Sequence, residues 1–350
     1  MKILKKAKTF IGLDIGKYAV KFVEFSFQKE KISLSNLGHS CLSFETIVDE
    51  MLINTNEIID RIKTIISYYK LKKNSTAFSI PGNDTIIKRI QVKGETFDDI
   101  QRGVELEAPN HIPYNINEIK IAFHIFEQEE ESEQNDILLI AVKEEILDDY
   151  LTILIESGLK PEVADIDFFA IQNIFEYNYK EDIDPAETVA LINIGANLLN
   201  ILILKNFQSL FYRDTILGNF LPYERIQNTL NLPYSEIEKM KIENNPNPHI
   251  QNFISSINKN ITSNIAKGLD LYLSSTNEDK IDKIFLSGGG ALNKDIKRFL
   301  KSRYSGSEIG YLDPFKNVEI DEKLFDKDYI NYIKPQFAVA AGLALRGMDE

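Results

Sequence analysis

Residues 10–26 read FIGLDIGKYAVKFVEFS, an apolar strand that is interrupted at Asp14, Ile15 and Gly16 and resumes at Ala19. The alternation of apolar and polar residues here, and again around SFQKEK at 26–31, predicts three consecutive strands joined by hairpin turns. A glycine-containing turn can direct backbone N–H groups into a concavity that receives an anion, and an aspartate beside it can hold Mg²⁺ through water. On its own, Asp-x-Gly after a strand usually reflects only the requirements of a turn.

The same three-stranded unit occurs twice in the sequence. VALINIGANLLNILILKNFQSLFYR, which begins at Val189, matches the unit at Phe10 in the order strand, x-Ile-Gly turn, strand, polar turn and strand. Two such turns that face each other would hold a polyphosphate from both sides. The repeat therefore predicts two domains that open with the same unit, and it favours a phosphate-binding role for the turns.

A third glycine-rich segment lies near the end of the chain. The segment is Ser287-Gly288-Gly289-Gly290-Ala291. It lies where the predicted strand KIFLSGGG ends and the chain turns into the predicted helix NKDIKRFLKSR. The partial positive charge of a helix N-terminus favours an anion, and consecutive glycines let a flat or phosphorylated ligand approach the backbone. The segment lacks the P-loop spacing and the G-x-G-x-x-G fingerprint, so those nucleotide folds are not supported. A flexible strand-to-helix loop is the alternative interpretation.

Composition and charge disfavour several other classes of protein. The chain has 350 residues, 43% of them hydrophobic, which is enough for two domains with their own cores. A net charge of −13 without a dominant lysine and arginine cluster disfavours nucleic-acid binding. The single cysteine, Cys41, cannot form an internal disulfide, and no apolar run approaches the roughly 20 residues of a spanning helix. These features predict a cytoplasmic protein without a membrane span.

The three glycine-containing segments together resemble the two phosphate loops and the adenosine loop of the actin, Hsp70 and sugar-kinase superfamily. Within it the chain is similar to the PilM family of type IV pilus assembly proteins, followed by the FtsA cell-division family. The segments SIPGNDTIIKRIQV, ELEAPNHIPYNINEI, VALINIGA, RDTILGN and FAVAAGLALRG each resemble a PilM segment in the same order. EAPNHIPY and AAGLALRG point to PilM, whereas the loops are shared by the superfamily.

The resemblance implies an α/β fold of the actin-like type, in which two domains with ribonuclease H-like cores surround a cleft. The first domain would span residues 9–185 and carry an inserted subdomain at about 84–166, as in PilM and FtsA. The second would span 186–350, with a helical subdomain at about 219–279. In that stretch Phe253, Ile257, Ile261, Ile265 and Leu269 recur at every fourth residue, as on a buried helix face.

The resemblance also implies which residues would bind ATP with Mg²⁺. The first phosphate loop would contain Asp14, Gly16, Lys17 and Tyr18, with Asp14 holding the metal through water. The second phosphate loop would contain Asn193, Gly195, Ala196 and Asn197. The adenosine side would be lined by Gly288, Gly289, Gly290 and Asn293, while Glu238 and Lys241 of SEIEKMK would flank the ribose and base.

Several of these positions depart from the pattern of the superfamily. Lys17 and Tyr18 stand where small hydroxyl residues are usual, and Asn193 stands where hydrolysing members have aspartate. An amide cannot act as a carboxylate base or neutralise the charge of a metal. The sequence therefore predicts nucleotide binding with weak or absent hydrolysis.

The function implied by the resemblance is a cytoplasmic ATP-binding scaffold of the type IV pilus inner-membrane assembly platform. It would hold the cytosolic tail of a PilN-like inner-membrane protein, contact other platform proteins and lie at the inner face of the inner membrane through these partners. Homo-oligomer formation stays open. The alternatives are an FtsA-like polymerising division protein or type II secretion relative, and an active phosphotransferase of the sugar-kinase branch. The phosphotransferase would need a catalytic carboxylate near its substrate, and the stretch 84–166 shows no such motif.

Overall fold

The computed structural model describes residues 8–28, 31–48, 51–71, 75–126, 134–218, 220–243, 245–276 and 278–348. These residues divide into two compact units. The larger unit is formed by the residues up to 79 together with those from 156 onward, and the smaller by residues 80–155. The smaller unit is therefore an insertion within the chain of the larger one.

The first sheet of the larger unit is built around the N-terminal hairpins. Its strands are β1 (Lys8–Ile15), β2 (Ala19–Gln28), β3 (Lys31–Cys41), β6 (Ser75–Ile80) and β10 (Lys160–Ile166), in the order β10-β6-β1-β2-β3. β1 pairs antiparallel with β2 and parallel with β6, and β2 pairs antiparallel with β3. The predicted three-stranded meander is confirmed. Between β3 and β6 lie the short strands β4 (Ile47–Val48) and β5 (Met51–Leu52) and the helix α1 (Thr55–Tyr69).

The second sheet repeats this topology. Its strands are β11 (Thr188–Ile194), β12 (Leu198–Lys205), β13 (Gln208–Ile216), β14 (Lys283–Ser287) and β15 (Glu308–Tyr311), in the order β13-β12-β11-β14-β15. β11 pairs antiparallel with β12 and parallel with β14, as β1 does with β2 and β6. The internal repeat seen in the sequence is thus a repeat of sheet topology.

Helices follow each set of strands in the larger unit. They are α4 (Asp167–Tyr179), α5 (Phe220–Leu230), α6 (Tyr234–Ile242), α7 (Pro248–Ser275), α8 (Lys294–Arg303), α9 (Lys327–Ile333) and α10 (Ala338–Leu345). The five residues predicted to form a buried face, Phe253 to Leu269 at every fourth position, are all buried on α7. They belong to the same hydrophobic core as β11, β12 and β14.

The last of these helices, α10, packs on the first sheet. All of its residues are buried, and it contacts β1 and α4. A Cβ atom on Gly12 of β1 would lie closer than 3.0 Å to Ala340 of α10, and one on Gly342 would lie closer than 3.0 Å to the Ala170 backbone of α4. The prediction that residues 186–350 form one domain is therefore corrected, because the chain returns to the first sheet at its end.

The described residues of the inserted unit form one three-stranded sheet and two α-helices. Its elements are β7 (Thr85–Val92), α2 (Phe97–His111), β8 (Ile119–Ile125), β9 (Asn135–Lys143) and α3 (Glu144–Glu156), with strand order β7-β9-β8. Apolar residues of α2, such as Val104, form its core with Leu139 and other residues of the sheet. The predicted limits of 84–166 are too late at both ends, because β10 pairs in the first sheet and is not part of the insertion.

Candidate functional site

The two repeated hairpin turns are closed by the same type of backbone hydrogen bond, but they differ in how closely the glycine packs. The N–H of Gly16 donates to the carbonyl of Ala19 at 3.2 Å, and that of Gly195 donates to the carbonyl of Leu198 at 2.9 Å. A Cβ atom on Gly195 would lie 2.9 Å from the Leu198 carbonyl oxygen, whereas one on Gly16 would meet nothing closer than 3.6 Å. The second turn therefore requires glycine for close packing, while the first accommodates a Cβ atom at ordinary contact distances.

A polar row crosses the strands beside the first turn. Asp14 is in register with Lys21 of β2, which is in register with His39 of β3. The ammonium of Lys21 forms an ion pair with the carboxylate of Asp14. Burial, together with the charge of Lys21, lowers the pKa of His39. Lys21, which the sequence analysis missed, thus brings a cation to the predicted phosphate loop.

A second polar row crosses the strands beside the second turn. Asn193 is in register with Asn200 of β12, and Asn200 with Asp214 of β13. The Nδ2 of Asn193 donates to Oδ1 of Asn200 at 2.8 Å, while its Oδ1 accepts from the Ser287 hydroxyl at 3.3 Å. These contacts fix the orientation of the Asn193 amide. Lys21 and Asn200 occupy equivalent positions of the repeat, so a polar residue within each apolar second strand was the available sequence signal.

Asn200 holds two carboxylates together. Its Nδ2 donates to Oδ2 of Asp167 at 3.1 Å and to Oδ1 of Asp214 at 2.8 Å. Burial raises the pKa of Asp167, and the charges of Asp214 and Asp14 add to this effect. Burial also raises the pKa of Asp214, to about 6, although the hydrogen bond from Asn200 opposes the shift. Asp167 is therefore hydrogen-bonded to the second polar row, while the charge of Asp14 in the first row contributes to the rise of its pKa.

The sequence analysis did not select Asp167 or Asp214 as site residues. Asp214 lies in RDTILGN, which indicated only a family resemblance, and the spacing of Asp167 and Asp214 along the chain gives no hint that they meet. The second oxygen of Asp214, Oδ2, is buried and has no hydrogen-bond partner among the described residues. Within those residues no group of three or more His, Cys, Asp and Glu side chains is arranged to hold a metal ion.

Lys17 and Tyr18 are directed toward other parts of the larger unit. Lys17 is 8% exposed. Its ammonium donates to the carbonyl of Phe44 at 3.2 Å and to that of Ile47. The ring of Tyr18 lies edge-on to that of Tyr234 on α6, with centroids 6.2 Å apart. Lys17 is thus engaged by backbone carbonyls in this structure.

The triple glycine segment packs on the end of β11. Gly288 has a φ of +83°, and a Cβ atom there would lie 2.7 Å from Oδ1 of Asn193. A Cβ atom on Gly290 would overlap the side chain of Ile194, whereas one on Gly289 would have its nearest neighbour at 3.8 Å. Gly288 and Gly290 therefore permit close packing against the second turn. The backbone of Gly289 stays accessible. Asn293 caps α8 by accepting from the N–H of Asp295 at 3.0 Å.

Glu238 and Lys241 lie together on α6, as the resemblance implied for a ribose-flanking pair. The Lys241 ammonium donates to Oε1 of Glu238 at 2.7 Å and contacts the Tyr223 hydroxyl at 2.6 Å. That hydroxyl donates to the same Glu238 oxygen. Beside this triad is a cavity of about 240 Å³, lined by Tyr18, Cys41, Leu42, Tyr234, Ser235, Glu238, Lys239 and Glu243.

The predicted residues thus fall into two groups in the structure. Asp14 belongs to the first polar row and Asn193 to the second, and Gly288 and Gly290 adjoin the second row. Tyr18 and Glu238 line one cavity, separate from these rows. Ala196 and Asn197 form the tip of the second turn, where the Asn197 carbonyl accepts from the N–H of Leu217 at 2.6 Å.

None of the helices formed by the described residues is both long enough and apolar enough to cross a membrane. Comparison with solved structures places the fold. It is similar to that of a PilM-PilN type IV pilus biogenesis complex, with a TM-score of 0.84 and 24% sequence identity over 97% of this chain and 98% of that one. It is also similar to ethanolamine utilization protein EutJ from Carboxydothermus hydrogenoformans, with a TM-score of 0.54 and 12% identity over 97% and 89% of the two chains.

These similarities confirm the predicted actin-like ATPase fold. The sequence itself matches the model of one family, described as Type IV pilus assembly protein PilM, over residues 12–348. Because this match extends over nearly the whole length, the chain belongs to the PilM family of type IV pilus assembly proteins.

Proposed function

We propose that the chain is an ATP-binding scaffold of the type IV pilus inner-membrane assembly platform, with weak or absent hydrolysis. The observation that carries the nucleotide half of this proposal is the pair of repeated turns, each with a polar row beside it, together with Asp167, which is hydrogen-bonded to Asn200 of the second row. Family membership supports the pilus half. The scaffold would be cytoplasmic and would reach the inner membrane through a PilN-like partner, with other platform proteins and self-association as further predictions.

The residues at the first turn fit a phosphate accompanied by Mg²⁺. A Cβ atom at Gly16 would meet nothing closer than 3.6 Å, and the Lys21 ammonium would lie 3.8 Å from it. A phosphate would accept charge-assisted hydrogen bonds from Lys21, and Asp14 would be released to hold a metal-bound water. Bound Mg²⁺ would supply charge neutralisation for the phosphate oxygens. The donor set of one carboxylate and one cation suits a metal held mainly by nucleotide and water.

The second turn supports the prediction of weak hydrolysis. Asn193 offers an amide whose two polar atoms are already engaged by Asn200 and Ser287. Asp167, which is bonded to Asn200, is 8% exposed, and burial favours the protonated form of its carboxyl group. A general base must be unprotonated and must reach its water, so neither residue is suited to that role.

We expect calorimetric titration with ATP and Mg²⁺ to give a micromolar dissociation constant for the full chain. The variant Gly16→Trp should weaken binding at least about 100-fold, because the indole would occupy the position at the first turn that the phosphate needs. Gly306→Trp is the matched control, since nothing lies within 4 Å of a Cβ atom at that position. Equal affinity of Gly16→Trp and the unaltered protein, or no heat at millimolar ATP, would rule out this site.

For the partner, we expect the cytosolic tail of a PilN-like protein to bind the inserted unit. This unit has a cavity of about 150 Å³ whose lining includes Asp84, Tyr114 and Lys143, with the Lys143 ammonium 4.6 Å from the centre of the Tyr114 ring. Tyr114 is 46% exposed, and exposed aromatic residues at interfaces often dominate binding. Tyr114→Ala should therefore weaken binding of a synthetic tail peptide about tenfold in fluorescence anisotropy. The control Tyr68→Ala removes an exposed tyrosine of the larger unit and should not change affinity; equal effects of both variants would refute this docking position.

A further inference from the structure

The segment 42–48, here called the strap, carries a phenylalanine into the core of the second sheet. Phe44 is 8% exposed, and its ring lies 5.5 Å from that of Tyr223 and 4.8 Å from that of Tyr234. The other buried residues described in this hydrophobic cluster all lie between 190 and 309. Phe44 therefore joins the N-terminal part of the chain to the core beneath the helices α5, α6 and α7.

The strap is held in shape by α1. The Oε1 of Glu57 accepts from the N–H and the hydroxyl of Ser43 at 3.0 and 2.9 Å, and its Oε2 accepts from the Thr46 hydroxyl. Burial acts in the opposite direction, yet these hydrogen bonds lower the pKa of Glu57 to about 2. The carbonyl of Thr46 in turn accepts from the N–H of Ile53 and that of Asn54. These hydrogen bonds hold the backbone on both sides of Phe44 in the conformation that directs its ring into the second core.

The strap is also tied to the first hairpin turn. Lys17, which directly follows Gly16, donates to the carbonyls of Phe44 and Ile47. Its ammonium lies 4.7 Å from the centre of the Phe44 ring, so one cation contacts both the backbone and the ring of the residue that enters the second core. A phosphate at the turn would offer this ammonium a charged acceptor, which binds more strongly than a neutral carbonyl.

We propose that the strap is a latch between the first turn and the α5–α7 layer, closed by Phe44 and controlled by Lys17. With the turn empty of phosphate, Lys17 holds the strap carbonyls and Phe44 stays in the second core. With phosphate bound, Lys17 transfers its hydrogen bonds to the anion and the strap opens more often. This second half rests on the proposed nucleotide binding, whereas the latch itself does not.

Hydrogen exchange of the ligand-free full chain tests the latch. Phe44→Ala should raise amide exchange in 42–48 and in α6 about tenfold or more, because the ring that closes the two elements is removed. Phe44→Leu keeps an apolar group in the same pocket and should retain most of the protection. Phe97→Ala, which removes a 61% exposed phenylalanine of the inserted unit, should leave both segments unchanged. If Phe44→Ala exchanges like the unaltered protein in both segments, the latch is overturned.

The variant Lys17→Met and the addition of nucleotide test whether Lys17 controls the latch. Lys17→Met should raise exchange of the strap in the absence of ligand, and ATP with Mg²⁺ should raise it in the unaltered protein but add little in this variant. Calorimetry on the same samples separates the two hypotheses. If ATP binds while strap exchange stays constant, the control by Lys17 is wrong although the proposed function stands. If ATP does not bind, the proposed function and the control both fail, and the ligand-free exchange of Phe44→Ala still decides the latch.

Discussion

Replacement of Gly342 by alanine is expected to lower the free energy of unfolding by about 3 kcal/mol, because the added methyl overlaps backbone that cannot rotate away. A Cβ atom there would lie closer than 3.0 Å to the carbonyl oxygen and to the carbonyl carbon of Ala170 on α4. The helix that carries Gly342 is buried along its length, so it cannot shift outward without exposing apolar surface. Urea unfolding followed by circular dichroism would measure the loss.

Gly306→Ala is the matched control for this experiment. Nothing lies within 4 Å of a Cβ atom at Gly306, so this variant should stay within about 0.5 kcal/mol of the unaltered protein. Equal stability of the two variants would show that α4 and α10 do not pack as closely as the structure has them.

Asn200→Ala is expected to cost about 3 kcal/mol at pH 8, because a single amide satisfies groups on three other residues. Its loss would leave Asp167 and Asp214 without their shared donor and Asn193 without an acceptor. The buried carboxylate of Asp167 and the half-buried carboxylate of Asp214 would then repel each other with no amide between them. Thermal and urea unfolding at several pH values would measure the effect.

The cost of Asn200→Ala should depend on pH in a defined direction. The folded-state pKa of Asp214 is raised from its ordinary 3.8 to about 6, so the folded protein binds this proton more tightly than the unfolded chain. Stability is therefore lost as the pH rises from about 4 through about 6, and it is not regained above that range. Without the amide the folded-state pKa rises further, so the variant should lose clearly less stability at pH 4 than at pH 8.

Two further variants make this second prediction specific. Adding Asp214→Asn to Asn200→Ala removes one of the two charges and should recover a large part of the stability at pH 8. Asn331→Ala, at an exposed position of α9, should be neutral at every pH. A loss that is the same at pH 4 and pH 8 would mean that the carboxylates are not the cause.

The sequence was a good guide to the fold because its strongest signals are local. Alternation and the x-Ile-Gly turns depend on neighbouring residues, and their duplication reflects the shared topology of the two sheets. The boundaries of the insertion were less predictable. β10 looks like the exit from a helix in the sequence, and only its pairing in the first sheet assigns it to the larger unit.

The candidate site was harder to predict because its partners are set by strand register and by contacts between distant segments. Lys21 and Asn200 reach the turns across hairpins, and Asp167 reaches Asn200 from the start of a helix 33 residues earlier in the chain. Lys17 lies in the expected loop, yet its contacts are with Phe44 and Ile47, which its own neighbours in sequence cannot specify. Motifs identified the loops, and tertiary structure determined what each side chain does there.

The position of α10 has a consequence for how the chain folds as it is synthesised. β1 emerges from the ribosome long before the helix that covers it, which lies at 338–345. N-terminal domains of larger proteins usually fold before the rest of the chain is made. Here the first sheet would not be covered until α10 has been synthesised. The surface around Gly12 and Ala170 would stay exposed until then. Contacts between such distant segments slow folding, so nascent chains that stop short of α10 should be the forms that depend most on chaperones.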